Sequence, residues 1–284
     1  MNGDDERGAD RNATPWRRLR RWLTFLGTIY LGAAVIRGCV GRSYQIPSSS
    51  MAPTLVPGET AFVSKLHFGA RTPTRLAVPL TDITFGPPLP PGRFPGFTRP
   101  RRGDVIAFHR PEPASGTHPT TYIKRVIGLP GDTVRIVAGD VLINGAPLDE
   151  PYTDEGPRGV ETTTGVFPVG SGFTTSDFGP LRVPARGDTV RLTPTSWSRL
   201  SGVLEHGERL TPEWGENGIT VDGRPAAPLV LQNDYYFVLG DARLGSIDSR
   251  SWGFLPEDEI IGHVVAAVTW AAARDRARGL HLVR

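Results

Sequence analysis

The sequence predicts a mainly β protein, in which an antiparallel, barrel-like β domain carries an inserted β subdomain and follows one N-terminal transmembrane helix. Three observations predict this fold. Short apolar runs of strand length recur from residue 41 onward. The 284 residues include 34 Gly and 27 Pro, a composition that favours frequent turns over long helices. One long uncharged segment lies near the N-terminus.

The uncharged segment, residues 22–40, predicts the transmembrane helix. Its 19 residues are interrupted only by Arg37, and at ~1.5 Å per residue they cover about 28 Å, close to the hydrocarbon core of a bilayer. Four arginines lie within 17–21, which favours a cytoplasmic tail over 1–21 and an extracytoplasmic remainder. A cleaved signal peptide has a similar layout and stays open as an alternative. Gly38-Cys39 resembles a lipidation site, but Arg37 stands where a small residue is expected.

The rest of the chain divides into a β domain over 41–149 and 233–284 and an inserted β subdomain over 150–232. The insert is polar and rich in Gly and Thr, yet apolar strands recur through it. Two-residue hairpin turns are predicted at Asn144-Gly145 and Asp222-Gly223, and the Pro-rich segment 69–100 is predicted as a surface loop. The predicted strands are Val105–His109, Thr121–Ile127, Thr133–Val137, Val141–Ile143, Thr189–Leu192, Tyr235–Leu239 and Ile260–Thr269.

Composition argues against several classes of function. The net charge of +3 gives no strong electrostatic case for nucleic-acid binding. The single cysteine, Cys39, allows no intrachain disulfide and no cysteine-based metal cluster. The six histidines show no metal-binding spacing. We therefore expect no metal, no cofactor and no nucleic-acid partner.

Three consecutive serines in IPSSSMAPTL, residues 46–55, are candidate nucleophiles. A serine needs a base, but no histidine has a triad context and no GxSxG motif is present. The 32 basic residues include only two lysines, Lys65 and Lys124. A lysine in apolar surroundings loses its proton readily, whereas an arginine does not. Lys124 lies in the strand-like run TYIKRVIG, on the face of Tyr122 and Val126. Taken alone, this segment is also consistent with a lysine at the edge of a sheet whose amine extends to solvent and has no chemical role.

A third polar stretch, GDARLGSIDSRSWGFLP over 240–256, lies between two apolar strands. Alone it fits a polar loop with an Asp–Arg pair. Together, IPSSSMAPTL, RRGDVIAF, YIKRVIGLPGD and this stretch, in this order after the predicted membrane segment, resemble the type I signal peptidases. These are membrane-bound serine proteases that cut signal peptides from exported proteins. The resemblance spans most of residues 22–270, although the Pro-rich loop and much of 150–232 carry no motif.

The resemblance implies a role for each motif residue. Ser50, immediately before Met, is the expected nucleophile and Lys124 its general base. The Ser48 hydroxyl and the Ser50 N–H are the expected oxyanion donors, and Ser246 is expected to hydrogen-bond and orient the Lys124 amine. The residues expected to line shallow substrate pockets are Ile46, Pro47, Met51, Leu55, Tyr122 and Ile123, each of which taken alone fits the core as well.

The resemblance also implies a supporting ion pair between Asp248 and Arg250 near the site, and in part a second one between Asp241 and Arg243. Ala242 departs from the pattern, because the family usually has asparagine between this aspartate and this arginine. An alanine cannot make the hydrogen bonds of an amide side chain, so the departure bears on the positioning of this loop.

The implied partners are the signal peptides of secretory preproteins, cleaved at small-x-small sites, and membrane lipid. The implied location is a bacterial plasma membrane, crossed once, with the N-terminus in the cytoplasm. Another Ser–Lys processing peptidase, of the pilin or conjugation type, stays open. A self-cleaving repressor does not fit, because a membrane segment replaces its DNA-binding motif. A catalytically impaired, membrane-anchored binding protein is the non-enzyme alternative, and Ala242 is its best support.

Overall fold

The structure is a computed structural model. All of the strand pairs described below are antiparallel, which confirms the predicted mainly β, antiparallel fold. The described residues are 13–35, 40–70, 76–77, 84–85, 87, 92–110, 120–150, 153, 165–215, 218–269 and 279–283. Much of the predicted Pro-rich loop lies outside them.

An eight-stranded sheet forms the larger part of the fold. Its path is open over the described strands, since β1 (Gly41–Gln45) at one end and β17 (Leu255–Pro256) at the other each pair with one neighbour. The predicted strands Val105–His109 and Tyr235–Leu239 are confirmed to the residue. In spatial order the strands are β1 (Gly41–Gln45), β2 (Thr60–Ser64), β18 (Ile260–Val268), β5 (Val105–His109), β6 (Thr121–Gly128), β16 (Tyr235–Leu239) and β17 (Leu255–Pro256), with β19 (His281–Leu282) also pairing with β18.

A four-stranded sheet combines residues on both sides of the predicted boundary at 149/150. Its order is β10 (Phe178–Arg182), β7 (Thr133–Val137), β8 (Asp140–Ile143) and β9 (Ala146–Pro147). The smaller sheets are β11 (Thr189–Val190) with β15 (Leu229–Val230), β12 (Pro212–Gly215) with β13 (Gly218–Val221) and β14 (Arg224–Pro225), and β3 (Leu76–Ala77) with β4 (Thr84–Phe85).

Both predicted two-residue hairpin turns are formed. Asn144-Gly145 joins β8 to β9 with φ values of 53° and 86°, and Asp222-Gly223 joins β13 to β14 with φ values of 51° and 72°. Two successive positive φ angles match the twist of a two-residue hairpin and suit Asn, Asp and Gly. A third turn of this kind, Ala138-Gly139 between β7 and β8, was not predicted, because alanine rarely adopts φ 50°.

The N-terminal helix α1 spans Ala13–Val35. Its segment 16–30 is exposed and includes Trp22, Phe25 and Ile29. Among the residues described, no helix combines the length and the apolar character needed to cross a membrane. The expected transmembrane helix over 22–40 is thus not confirmed, and residues 36–39 of it lie outside the described residues.

Two further helices lie in the second half of the chain. Helix α2 (Pro194–Gly202) begins after Thr193, whose hydroxyl accepts the Ser196 N–H in a capping box, and it continues into a π-helical turn over Val203–Gly207. Helix α3 (Ser249–Trp252) begins after Asp248. A 3₁₀ turn over Glu257–Glu259 leads into β18.

Over the described residues the core consists of three apolar clusters, and each of them includes at least one residue of β6, the strand that carries Lys124. One cluster packs β2, β5 and β18 against the segment after β1 and includes Leu55, Val63 and Val264. The second includes Ile106, Phe108 and Val126. The third joins β7, β8 and β10 to β16. Strand β6 is therefore buried along its second half, which includes Lys124.

Candidate active site

The segment with the three serines is a loop between β1 and β2 that is fixed at both ends. The Ile46 N–H donates to the Glu59 carbonyl oxygen at 2.8 Å, and the Leu55 N–H donates to the Met51 carbonyl oxygen at 2.8 Å. Ile46, Met51 and Leu55 are buried, whereas residues 47–49 are exposed. The apolar residues on either side of the serines thus hold Ser50 at the edge of the core.

Ser50 and Lys124, predicted from separate motifs, are in direct contact. The Lys124 Nζ donates to the Ser50 Oγ at 2.6 Å, and the Lys124 side chain is only 2% exposed. Burial lowers the pKa of Lys124 to about 8, outweighing the charges of Asp248 and Asp241, which raise it; Arg250 lowers it further. A lysine with this pKa is partly neutral near neutral pH and can accept a proton from the serine.

The Ser48 hydroxyl lies on the exposed side of Ser50, and the two Oγ atoms are 3.3 Å apart. The Ser50 N–H donates to no group within the described part of the chain. A hydroxyl and a backbone N–H beside one serine Oγ are the donor types of an oxyanion hole. Ser49 is also exposed, and its carbonyl oxygen accepts the Ala52 N–H at 2.9 Å.

Ser246 lies near Ser50 but does not make its expected contact. Its Oγ is buried and has no hydrogen-bond partner among the described residues, so the hydrogen bond expected to the Lys124 amine is wrong for this structure. A Cβ on Gly240 would lie 2.2 Å from the Ser246 Oγ and 2.4 Å from the Ser50 carbonyl oxygen. The close approach of the two loops therefore requires glycine at 240.

The ion pair expected between Asp248 and Arg250 is formed and buried. The Arg250 Nε and one terminal nitrogen donate to the two Asp248 oxygens, each at 2.9 Å. Asp248 also accepts the Gly240 N–H at 3.1 Å. Burial opposes ionisation of Asp248, but the charge and hydrogen bonds of Arg250 hold the pKa of this carboxyl below its ordinary value. The pair ties helix α3 to the start of the 240–250 loop.

The other expected pairing, between Asp241 and Arg243, is wrong. Asp241 accepts two hydrogen bonds from Arg125, at 2.8 and 2.7 Å, and one from the Thr54 hydroxyl at 2.5 Å. Arg243 pairs instead with both carboxylate oxygens of Glu150. Arg125 is paired with Leu239 of β16, two residues before Asp241, so the sheet brings these two side chains together.

Sequence reasoning missed Arg125, Thr54 and Glu150. Thr54 lies in the motif IPSSSMAPTL and Arg125 in YIKRVIGLPGD. Their positions beside Ser50 and Lys124 in these motifs could have identified them as candidate site residues. Glu150 lies outside every motif, and its partner is 93 residues away. No local pattern in the sequence identifies it.

The residues expected to line substrate pockets divide into two groups. Three are buried in the core beneath the loop and do not form an open surface, because the loop needs them to pack: Ile46, Met51 and Leu55. The other three are at least partly accessible: Pro47, Tyr122 and Ile123. The Tyr122 ring stacks on Phe108, and its hydroxyl accepts a hydrogen bond from Arg110 at 3.3 Å.

No group of three or more His, Cys, Asp or Glu side chains in the described ranges is arranged to hold a metal ion. The site consists instead of a serine hydroxyl, a buried lysine amine, a second hydroxyl and two buried aspartate–arginine pairs. In a β protein this combination is typical of hydrolases that use a lysine in place of the histidine of a serine triad.

Comparison with known proteins places the chain in a family. The family model described as signal peptidase, peptidase S26, matches residues 19–270. Because the match covers most of the chain, the chain belongs to the signal peptidase family. It is therefore a peptidase, a hydrolase of peptide bonds.

Curated relatives carry the same name. A signal peptidase I from Leptolyngbya laminosa is 28% identical over 243 residues, covering 84% of this chain and 74% of the relative. One from Buchnera aphidicola is 27% identical over 246 residues, covering 84% and 71%. The crystal structure of a signal peptidase I from Enterococcus faecalis has 25% identity and a TM-score of 0.30 and covers 58% of this chain and 96% of that one.

Proposed function

We propose that this peptidase removes N-terminal signal peptides from exported preproteins, cleaving at small-x-small sites with Ser50 as nucleophile and Lys124 as general base. The observation that carries the proposal is the 2.6 Å hydrogen bond from a buried lysine amine to the Ser50 hydroxyl. Among the described residues the Ser50 hydroxyl accepts a hydrogen bond from the Lys124 amine, and the lowered pKa of Lys124 suits a base.

The first half of the reaction forms an acyl-enzyme. Neutral Lys124 takes the proton of the Ser50 hydroxyl as the Oγ attacks the scissile carbonyl carbon. The negative charge moves to the carbonyl oxygen, where the Ser48 hydroxyl and the Ser50 N–H stabilise it. When the tetrahedral intermediate collapses, the Lys124 ammonium protonates the departing amine of the mature protein.

The second half releases the signal peptide. Lys124, neutral again, takes a proton from a water molecule that attacks the acyl carbonyl of Ser50. The same two donors stabilise the second oxyanion. Lys124 then returns the proton to the Ser50 Oγ, and the hydroxyl is restored for the next cycle.

The peptide substrate is proposed to bind as an extended strand beside the segment that precedes Ser50. Strand β1 runs into this segment and is an edge strand of the described sheet, so it can accept another strand by backbone hydrogen bonding. Pro47, Tyr122 and Ile123 are the accessible residues that would contact it. Because few apolar surfaces are open there, small substrate side chains fit best.

Attachment to the plasma membrane by a single N-terminal segment belongs to the proposal. Helix α1 carries four arginines over 17–21 and exposed apolar side chains that include Trp22, Phe25 and Ile29. Ser50 follows the end of this helix by 15 residues, so the chain holds it within about 50 Å of that end. Tethering enzyme and signal peptide to one surface raises their effective concentration.

The testing experiment is cleavage of a signal-peptide substrate by the full chain in detergent, with Ser50→Ala as the comparison. Cleavage after an Ala-x-Ala site that is lost in the variant supports the function and the nucleophile together. Cleavage elsewhere that still depends on Ser50 favours a different Ser–Lys processing peptidase. Substrate binding without cleavage by folded wild-type protein favours the impaired binding protein.

Membrane attachment is tested separately. Protein expressed in bacteria is expected in the membrane fraction after alkaline carbonate extraction. External protease added to spheroplasts is expected to digest the region after residue 41. Release of intact protein by carbonate, or full protection from the protease, would reject this part of the proposal.

A further inference from the structure

The loop 240–250 brings several groups to Ser50 and Lys124, yet it lacks the asparagine that the family usually has at 242. It contributes the Ser246 hydroxyl and the buried Asp248 carboxylate. Its first residue, Gly240, leaves no room for a side chain against the Ser50 carbonyl oxygen. A displacement of this loop would therefore change the positions of the groups that surround Ser50 and Lys124.

An ion pair between Arg243 and Glu150 holds this loop to the start of the segment that follows β9. Arg243 donates to Glu150 through both terminal nitrogens, one of them at 2.9 Å. The side chains are only 14% and 11% exposed. A bidentate arginine–carboxylate pair of this kind fixes both distance and orientation, unlike an exposed single contact.

The pair continues inward through hydrogen bonds of the loop itself. The Arg243 Nε donates to the Gly240 carbonyl oxygen at 3.1 Å, and the Arg243 carbonyl oxygen accepts from Arg250 at 2.6 Å. Arg250 in turn binds Asp248 with two hydrogen bonds. Glu150 is thus connected to both ends of the loop that surrounds Ser246.

Two more contacts reach the loop from the same part of the chain. The Phe167 N–H donates to the Arg250 carbonyl oxygen at 2.7 Å, and Arg250 donates to the Thr175 carbonyl oxygen at 3.0 Å. These involve main-chain atoms on the 165–175 side. Among the residues of this region that the structure describes, Glu150 is the charged side chain that forms an ion pair with the loop.

We propose that Glu150 is a positioning residue for the peptidase reaction: through Arg243 it holds the 240–250 loop against Ser50 and Lys124 and takes over the positioning for which Ala242 has no side-chain amide. The inference rests on the proposed function and adds a residue to it that lies outside every motif. Glu150 touches neither Ser50 nor Lys124, so it acts by placing other groups.

The first test measures kcat and KM for the full chain and for Glu150→Gln. We expect kcat to fall about 10- to 100-fold, as small misplacements of reacting groups do, with little change in KM, because the proposed peptide site lies beside 46–50. Glu150→Asp, which keeps the charge, is expected to recover part of the loss. The matched control is Asp188→Asn, which breaks the exposed Arg182–Asp188 pair and should leave both constants unchanged.

A second readout does not depend on cleavage. The chain has only two lysines, so labelling by an amine reagent at several pH values reports Lys124 with Lys65 as the internal reference. In Glu150→Gln the loosened loop should admit water next to Lys124. Because burial is what lowers the pKa of Lys124, this hydration should raise that pKa. The charged groups facing Lys124 are Asp248, Asp241 and Arg250, and the variant changes none of them.

The outcomes separate the two proposals. The inference would be overturned if Glu150→Gln had the kcat and the Lys124 labelling of the wild type. A lower melting temperature, of the kind expected for Asp188→Asn as well, would not change that conclusion. Absence of cleavage by the wild-type protein would count against the proposed function, and the labelling comparison would then decide the role of Glu150 alone. A raised Lys124 pKa in Glu150→Gln but not in Asp188→Asn would support it in either case.

Discussion

The N–H of Ala242 donates a hydrogen bond to the carbonyl oxygen of Ser50 at 3.2 Å. This contact joins the loop after β16 to the serine loop through main-chain atoms alone. It does not depend on the side chain at 242, so replacing the usual asparagine by alanine leaves it intact. Ala242 is therefore compatible with an assembled Ser50–Lys124 pair, which weighs against the impaired binding protein.

Replacing Lys124 by arginine is expected to lower the cleavage rate by about 10²–10⁴-fold, the usual contribution of a general base. The guanidinium stays protonated near neutral pH and cannot accept the serine proton. The measurement is the initial rate of signal-peptide cleavage. Lys65→Arg serves as the control and should cleave like the wild type, and near-normal cleavage by Lys124→Arg would show that the base lies elsewhere.

The cleavage rate is expected to depend on pH through Lys124. Its pKa is lowered to about 8 by burial, so the amine is protonated and inactive below that pH and neutral above it. In the acid range kcat/KM should rise about tenfold per pH unit and level off above roughly pH 8. A pH profile of kcat/KM checks this, and a rate that stays constant down to pH 6 would contradict it.

Ser48→Ala is expected to lower kcat by roughly 10²–10³-fold, as loss of one oxyanion donor does, while the protein stays folded. Ser49→Ala is the matched control, because Ser49 is also exposed and no role is proposed for its hydroxyl. The cleavage rates of the two variants and the wild type are compared at equal concentrations of folded protein, as judged by circular dichroism. Equal rates in the two variants would remove Ser48 from the oxyanion site.

Asp241→Asn is expected to destabilise the fold by about 3–5 kcal/mol, because it leaves the buried Arg125 without its counter-charge. The two side chains are 0% and 1% exposed. The free energy of unfolding in urea measures the effect. Asp188→Asn, at a far more exposed pair, is expected to cost only about 1 kcal/mol or less, so equal losses would show that burial does not matter here.

Ala138→Gly is expected to stabilise the fold by about 1 kcal/mol. Alanine at φ 50° carries a steric cost that glycine avoids, and the turn between β7 and β8 is otherwise unchanged. The melting temperature should rise by a few degrees. A decrease would mean that the greater freedom of glycine in the unfolded chain outweighs the relieved strain.

Sequence reasoning succeeded where structure is decided locally. Strand Val105–His109 shows little alternation of apolar and polar residues, because both of its faces are buried. Its ends were therefore predicted from the length of the apolar run and from the turn residues on either side. The turn at Asn144-Gly145 follows from the residues that tolerate positive φ. The Ser50–Lys124 contact was predicted only through resemblance, since the two residues are 74 positions apart.

The unpredicted parts of the site depend on long-range geometry. Asp241 selects Arg125, 116 positions away, over the nearby Arg243, because β6 and β16 are hydrogen-bonded neighbours in the sheet. Spacing within one loop cannot reveal that choice. The same limit applies to Ser246, because the motif does not reveal that its buried hydroxyl lacks a hydrogen-bond partner among the described residues.

The position of β18 has a consequence for how the chain acquires its fold during synthesis. This strand, Ile260–Val268, lies between β2 and β5, so the middle of the main sheet is the part translated last among these strands. Until it emerges, β2 and β5 each present an unpaired edge, a template for association with other chains. A nascent chain that stops before residue 260 lacks the strand that joins the β1–β2 pair, next to Ser50, to the β5–β6 pair, which carries Lys124, so the sheet that brings these two residues together can be completed only after Ile260–Val268 has left the ribosome.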